Sequence, residues 1–155
     1  MTTISEREQR EISLANASGN TPIVLVHGLW VLPSSWANWA DLFEDAGYAP
    51  LSPDWPDDPA TVEEARANPE VLAKKTLEQV AEHTTEIIKA LDKKPAVMGH
   101  STGGLVAQML AGRGLAAATV AADRPRPASI CASKPPVECP MTAGFLSRAL
   151  MISAV

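Results

Sequence analysis

Apolar residues follow two alternating patterns along this chain of 155 residues. Some form short unbroken runs, and others recur every three or four positions. The first run, PIVLVHG at 22–28, reads as a strand buried on both faces, because a half-exposed strand would alternate. Trp36, Trp39, Ala40 and Phe43 then repeat at i, i+3, i+4 and i+7, one face of a helix. Ser34 or Ser35 can cap that helix, and Gly47 ends it. YAPLSPDWP at 48–56 is a shorter, Pro-interrupted strand running into a loop, and the acidic, turn-rich DDPATVEEARANPE reads as more loop. A longer helix is expected from about 71 to 92. Leu77, Val80, Thr84, Ile87, Ile88 and Leu91 form its buried stripe, with Gln79, Glu82, His83 and Glu86 on the wet side. Pro95 opens a second buried strand, PAVMG. The apolar TGGLVAQMLAGRG that follows Ser101 reads as a helix ending at Gly112 or Gly114, and AAATVAA at 116–122 as a further strand.

The two ends of the chain are less regular. Residues 1–20 are polar and mixed in charge, with Glu11 to Ala15 expected as a short strand and SGN at 18–20 as a break. After Ala122 the character changes. ADRPRPASICASKPPVECP holds five prolines and no periodic apolar face, and reads as irregular. GFLSRALMISAV reads as a weak helix. Strands alternating with helices predict an α/β fold, a mostly parallel sheet of about four strands with helices on both faces.

Composition narrows the class of function. Hydrophobic residues make up 46% and charged residues 20%, which is ordinary for a globular domain. The net charge of −5 argues against nucleic acid or an anionic membrane as partner, since both need a basic patch. No apolar run approaches the roughly 18 residues that span a bilayer, and MTTISEREQREISLAN lacks the pattern of a signal peptide. Two cysteines, Cys131 and Cys139, are too few for a disulfide framework, so a cytoplasmic location is expected. Their spacing fits no common zinc pattern. Asp57 and Asp58, which could suggest a metal, sit in a Pro-rich loop and read as a solvated turn. No metal and no cofactor are expected.

Candidate chemistry centres on VMGHSTGGL, Val97 to Leu105. A serine hydroxyl needs a base for its proton and donors for the charge that builds on the substrate oxygen. One backbone solution places the serine on a tight strand-to-helix turn with its Oγ exposed. Strand and helix then approach so closely that the positions two before and two after must be small, as Gly99 and Gly103 are. By chance alone, roughly one chain in twenty of this length carries G-x-S-x-G at average usage. An apolar strand before it and an apolar helix after it raise the signal, with Ser101 as nucleophile. Thr102, the residue after it, would supply one oxyanion-hole N–H. The second would come from the loop opened by His27-Gly28, hence Leu29 or Trp30.

PIVLVHGLW followed some seventy residues later by PAVMGHSTGGL resembles the N-terminal half of α/β-hydrolase fold enzymes, especially single-domain esterases and cofactor-free haloperoxidase-like hydrolases. The resemblance covers about residues 20 to 122. It implies a serine hydrolase with Ser101 as nucleophile, acting on a small ester or related acyl substrate through an acyl-serine intermediate. A triad in the order serine, acid, histidine is also implied. His27 resembles the histidine that shapes the oxyanion loop, and His100 the variable residue of the elbow motif. The chain departs from the family where the base should be. Its three histidines are His27, His83 and His100, and none follows Ser101. Asp123, at the end of the last expected strand, has no histidine after it to orient. Three segments are therefore expected: a polar stretch at 1–20, a partial hydrolase domain at 21–122, and an irregular tail at 123–155. A frameshift or early stop in a longer gene would leave such a tail, of non-homologous sequence. The expected strand order is 48–52, 22–27, 95–99, 116–121, with the last an exposed edge that invites self-association. Trp30, Trp36, Trp39 and Trp55 could line an apolar pocket, although Trp36 and Trp39 suit the core better. The competing reading is a non-catalytic remnant or interaction module that keeps only the nucleophile-elbow half.

Overall fold

The computed structural model describes residues 3–73, 75–123 and 151–154, with backbone alone at 72, 73 and 151–154. Its centre is a sheet. β1 (Thr21–Val26), β2 (Tyr48–Leu51), β3 (Ala96–His100) and β4 (Ala118–Ala122) are parallel, and β5 (Met151–Ala154) is antiparallel. The order across the sheet is β2-β1-β3-β4-β5. The first four strands thus lie in the expected order, and Val24 pairs with Leu51 on one side and Val97 on the other. The unbroken run of β1 is buried from Pro22 to Val26 because helices cover both faces. On one face Val24, Val26 and Val97 pack under three helices: α1 (Glu6–Ser18), α5 (Leu77–Lys89) and α6 (Thr102–Gly112). On the other, Ile23, Leu25 and Met98 pack against Trp36, at the end of the 3-10 turn Pro33–Trp36, and against Ala40 and Phe43 of α2 (Ala37–Asp45).

Several expectations are corrected. Glu11 to Ala15 is not a strand but the middle of α1. Ser5 accepts the Glu8 N–H while the Glu8 carboxylate accepts the Ser5 N–H, a capping box that starts the helix, and Ile12 and Ala15 join the core. The loop after Asp57 contains α3 (Val62–Ala67), capped by Thr61. The single helix expected over 71–92 is two: α4 (Glu70–Ala73) and α5, separated because Thr76 forms a capping box with Gln79. His83 is on the buried side of α5, 2% exposed. The helix is covered over a wider arc than its apolar stripe alone predicts, since α1 lies against it. Trp39 is 46% exposed, so it is not core. It continues a ladder of rings from Trp36 through Phe43 to Tyr48 along the rim of α2. Met151–Ala154 is a strand, not a helix, and its pairing with Ala118 to Ala121 occupies the edge that β4 was expected to leave open. The Pro-rich segment and both cysteines lie outside the described residues. Among the described residues no helix is long and apolar enough to cross a membrane.

Candidate active site

β3 ends at His100 and α6 begins at Thr102, which leaves Ser101 alone to turn the chain. Its φ of 54° and ψ of −121° lie in a region that costs a residue with a side chain of order 1–3 kcal/mol. The surroundings hold it there. The Ser101 N–H donates to the Ala122 carbonyl at the end of β4 (2.9 Å), and its carbonyl accepts from the Gly104 N–H (3.0 Å). Although Ser101 is the N-cap of α6, its side chain caps nothing, so the half-buried hydroxyl is left for another partner.

The flanking glycines are there for lack of space. A Cβ at Gly99 would collide with the backbone of Gly103 and Gly104. One at Gly103 would collide with the carbonyls of Val26 and His27, where α6 crosses the end of β1. Gly28 brings the loop after β1 to the same place: a Cβ there would stand 3.2 Å from both the Ser101 Cβ and the His100 carbonyl. The predicted meeting of elbow and loop is therefore present. Leu29, Trp30 and Val31 are all partly exposed beside it, and Trp30 has a positive φ of 68°. Among the described residues, the backbone N–H groups of Leu29, Trp30 and Thr102 donate to no carbonyl or side chain. The start of a helix also carries partial positive charge.

The three histidines have separate surroundings. His27 is buried, 1% exposed. Its Nδ1 lies 2.9 Å from the Gly28 carbonyl, an oxygen that can only accept, so Nδ1 carries a proton. Its ring stacks on Trp55, with centroids 5.2 Å apart, and its Nε2 is 3.2 Å from Asp58 Oδ2. His83 Nε2 lies 2.8 Å from Glu8 Oε1 beneath α1, so the expected surface position is wrong. His100 is exposed on the rim, its Nε2 4.0 Å from the carboxylate of the exposed Asp123.

Asp58 is the residue that sequence reasoning placed wrongly. Its side chain is fully buried. Oδ2 accepts the Trp55 N–H (3.0 Å), and Oδ1 meets the Lys75 ammonium. Burial pushes its carboxyl up, but hydrogen bonds and charge from His27 and Lys75 outweigh that and hold it below the usual carboxylate range. Trp55, 4% exposed, is core rather than pocket lining. A separate cavity of about 370 Å³ is lined by Pro56, Asp57, Asn68, Glu70, Val71, Lys75 and Gln79, none of them at the elbow.

A sequence model of the Alpha/beta hydrolase family matches residues 23–153. The chain belongs to the alpha/beta hydrolase family. The match runs past the change of character at Ala122 and covers the whole sheet except the first two residues of β1 and the last of β5. A search of curated proteins finds no match. Among solved structures, this hydrolase chain is similar to an extracellular alpha/beta-hydrolase from a Paenibacillus species, described as sharing structural and functional homology with tobacco salicylic acid binding protein 2. The identity is 26% and the TM-score 0.47, over 60% of this chain and 35% of that one. It is also similar to epoxide hydrolase A from Mycobacterium thermoresistibile (23% identity, TM-score 0.50, 65% of this chain and 31% of that one). A third likeness is to a probable hydrolytic enzyme from Pseudomonas aeruginosa (21% identity, TM-score 0.44, 64% and 31%). The chain thus spans about a third of the length of each of these three structures.

Proposed function

We propose that this alpha/beta hydrolase uses Ser101 as a nucleophile toward a small ester or related acyl compound. The observation that carries the reading is the turn itself: a strained serine between β3 and α6, its hydroxyl uncapped, with Gly28 against its Cβ. Strain at one polar residue, maintained by close backbone packing on both sides, is what an exposed nucleophile requires. The Oγ would attack the acyl carbon, the ester C–O bond would break with the proton leaving on the alcohol, and water would release the acyl group as an acid. The oxygen that gains charge meets the N–H of Thr102 at the start of α6 and the N–H of Leu29. Leu29 is favoured over Trp30 by a geometric argument. The Gly28–Leu29 peptide is planar and trans. Its carbonyl is turned in to His27, so its N–H points the opposite way. Leu29, Trp30 and Val31 give the loop an apolar lip suited to an uncharged acyl or alcohol group.

His27 and His83 face carboxylates away from the hydroxyl, and His100 and Asp123 are the exposed titratable groups at the elbow's rim. Charge stabilisation and binding without a triad base leave a residual acceleration of roughly 10³–10⁴ over water. A fluorophosphonate probe tests the reading. Covalent labelling of Ser101 that is lost in Ser101→Ala, with slow turnover of an activated ester that falls with it, supports it. An unlabelled wild-type chain sinks it in favour of the second reading, a binding module that keeps the elbow without the chemistry. That alternative draws on the absence of an imidazole bonded to Ser101 among the described residues. The acidic net charge and the two cysteines fit a cytoplasmic protein acting on a small molecule.

A further inference from the structure

Behind the oxyanion loop lies a buried group of three charged or titratable side chains, which the proposed chemistry does not touch directly. Asp58, His27 and Lys75 are 0%, 1% and 6% exposed at their side chains. They come from three different places: the loop after β2, the end of β1, and the residue before the cap of α5. Burying an ion pair is costly unless its remaining lone pairs and protons are satisfied. Here Asp58 is satisfied on both oxygens, by the Trp55 N–H and the Lys75 ammonium, and it still faces His27 Nε2. The ring of His27 has an oxygen at each nitrogen, Gly28 O at Nδ1 and Asp58 Oδ2 at Nε2. Nδ1 donates to the Gly28 carbonyl, and the Nε2 edge of the ring faces the carboxylate. The Nε2 contact is at 3.2 Å but off the hydrogen-bond direction. Trp55 closes the arrangement, stacking on the ring with its indole face while its backbone N–H donates to Asp58.

We propose that Asp58 is a positioning residue for the Ser101 site. Its carboxylate, set by Trp55 and shared with Lys75, holds the His27 ring in place, and the Nδ1–H of His27 pins the Gly28 carbonyl so that the Leu29 N–H faces the nucleophile. This rests on the hydrolase reading above. The titratable and charged groups facing His27 among the described residues are Asp58 and, through it, Lys75.

The test uses the full chain as wild type, Asp58→Asn, and Asp58→Asn combined with Lys75→Met. Two readouts are taken: nitrogen-15 resonances of the His27 ring with the Leu29 amide, and the saturating rate and half-saturation concentration of fluorophosphonate labelling. In the wild type His27 Nδ1 should report a proton. A single-proton Nε2–H ring there overturns the proposal without any variant, so the idea survives even a poorly folding mutant as a testable one. In Asp58→Asn the Leu29 amide should shift. The saturating labelling rate should fall about tenfold to a hundredfold, less than the 10²–10³ expected for deleting an oxyanion donor, while half-saturation moves less than about threefold. If Asp58 merely neutralised Lys75, removing both charges would restore the rate; under the proposal the double variant stays slow. Restoration, or an unchanged rate in Asp58→Asn, overturns the role of Asp58 alone. Absence of labelling in the wild type overturns the reading of Ser101 and leaves the His27 and Leu29 resonances to decide whether Asp58 sets the loop.

Discussion

Two regions hold this chain in shape by opposite means. At the elbow, backbone packs on backbone: Gly99 against Gly103, Gly103 against the last carbonyls of β1, Gly28 against Ser101. No ion pair is involved in those contacts, and tightness comes from the absence of side chains. Beneath α1, in contrast, the packing is a seam of polar groups. Glu8 accepts from Ser5 N, Asp54 N (3.0 Å) and His83 Nε2, all at low exposure. Arg7 spans Glu11, Asp54 and the Ser52 carbonyl, and Glu11 accepts the Ser52 N–H. The seam ties a helix to the segment after β2, where unpaired backbone groups would otherwise face the interior. The elbow fixes the position of one hydroxyl, while the seam fixes which helix covers the sheet. One should therefore fail through geometry and the other through charge.

The largest expected effect is on chemistry. Ser101→Ala should abolish fluorophosphonate labelling and slow hydrolysis of an activated ester about tenfold or more, the remainder above buffer coming from the oxyanion donors and binding, with little change in melting temperature. An equal rate in both proteins would remove the elbow's functional meaning. Next comes Gly103→Val, which drives a branched side chain into the carbonyls of β1. Overpacking of flexible side chains costs about 1–3 kcal/mol, and here the obstacle is rigid backbone, so chemical denaturation should show about 3 kcal/mol or more. Breaking the seam from one side, with Glu8→Ala, strands His83 and two backbone N–H groups and should cost about 3 kcal/mol by the same measurement. Replacing both Glu8 and His83 by leucine should recover only part of that, because the imidazole goes with its partner while the Ser5 and Asp54 N–H groups stay unpaired. Recovery at the seam without any equivalent rescue at Gly103 would sharpen the contrast.

Acid separates the regions by a smaller margin. Burial pushes the Glu8 carboxyl up, but His83 and the Ser5 N–H more than offset it and leave it below the usual range, as with Asp58. Unfolding then takes up protons, so these two groups stabilise the fold above the unfolded carboxyl range near pH 4 and lose that contribution as pH falls through their folded values. Glu11 has the opposite sign: burial raises it despite Arg7, and its contribution favours the fold only toward acid. Melting temperature followed from pH 7 to pH 3 should decline below about pH 4, and Glu8→Gln should flatten that decline. The smallest effect belongs to the surface. Arg113 meets Glu78 at 2.5 Å on exposed helix faces, and Arg113→Ala should change stability by less than about 1 kcal/mol.

Much of the elbow was legible before any coordinates. Ser101, Gly99 and Gly103 lie within five positions, the runs beside them announce strand and helix, and His27-Gly28 closes the neighbouring strand. The signal is local because the constraint is local. The seam gave weaker signs. Ser5 and Glu8, and Thr76 and Gln79, carry the spacing of capping boxes, which could have placed α1 and divided α4 from α5. Nothing near His83 or Asp58 in sequence marks them as buried. Their partners are 75 positions away for His83 and on β1 and before α5 for Asp58. Trp39 shows the reverse error, for it sits at core spacing on a helix whose outer rim the sheet does not cover.

The sequence by itself determined the order of the four parallel strands, the glycine-flanked turn at Ser101, and membership in a hydrolase fold. Those features follow from periodicity and from glycine's size, which act over a few residues. Only the tertiary structure decided which polar groups are dry. A carboxylate or imidazole is buried when distant segments arrive with matching donors and charges, and the cost of desolvation is settled between partners that no local window contains.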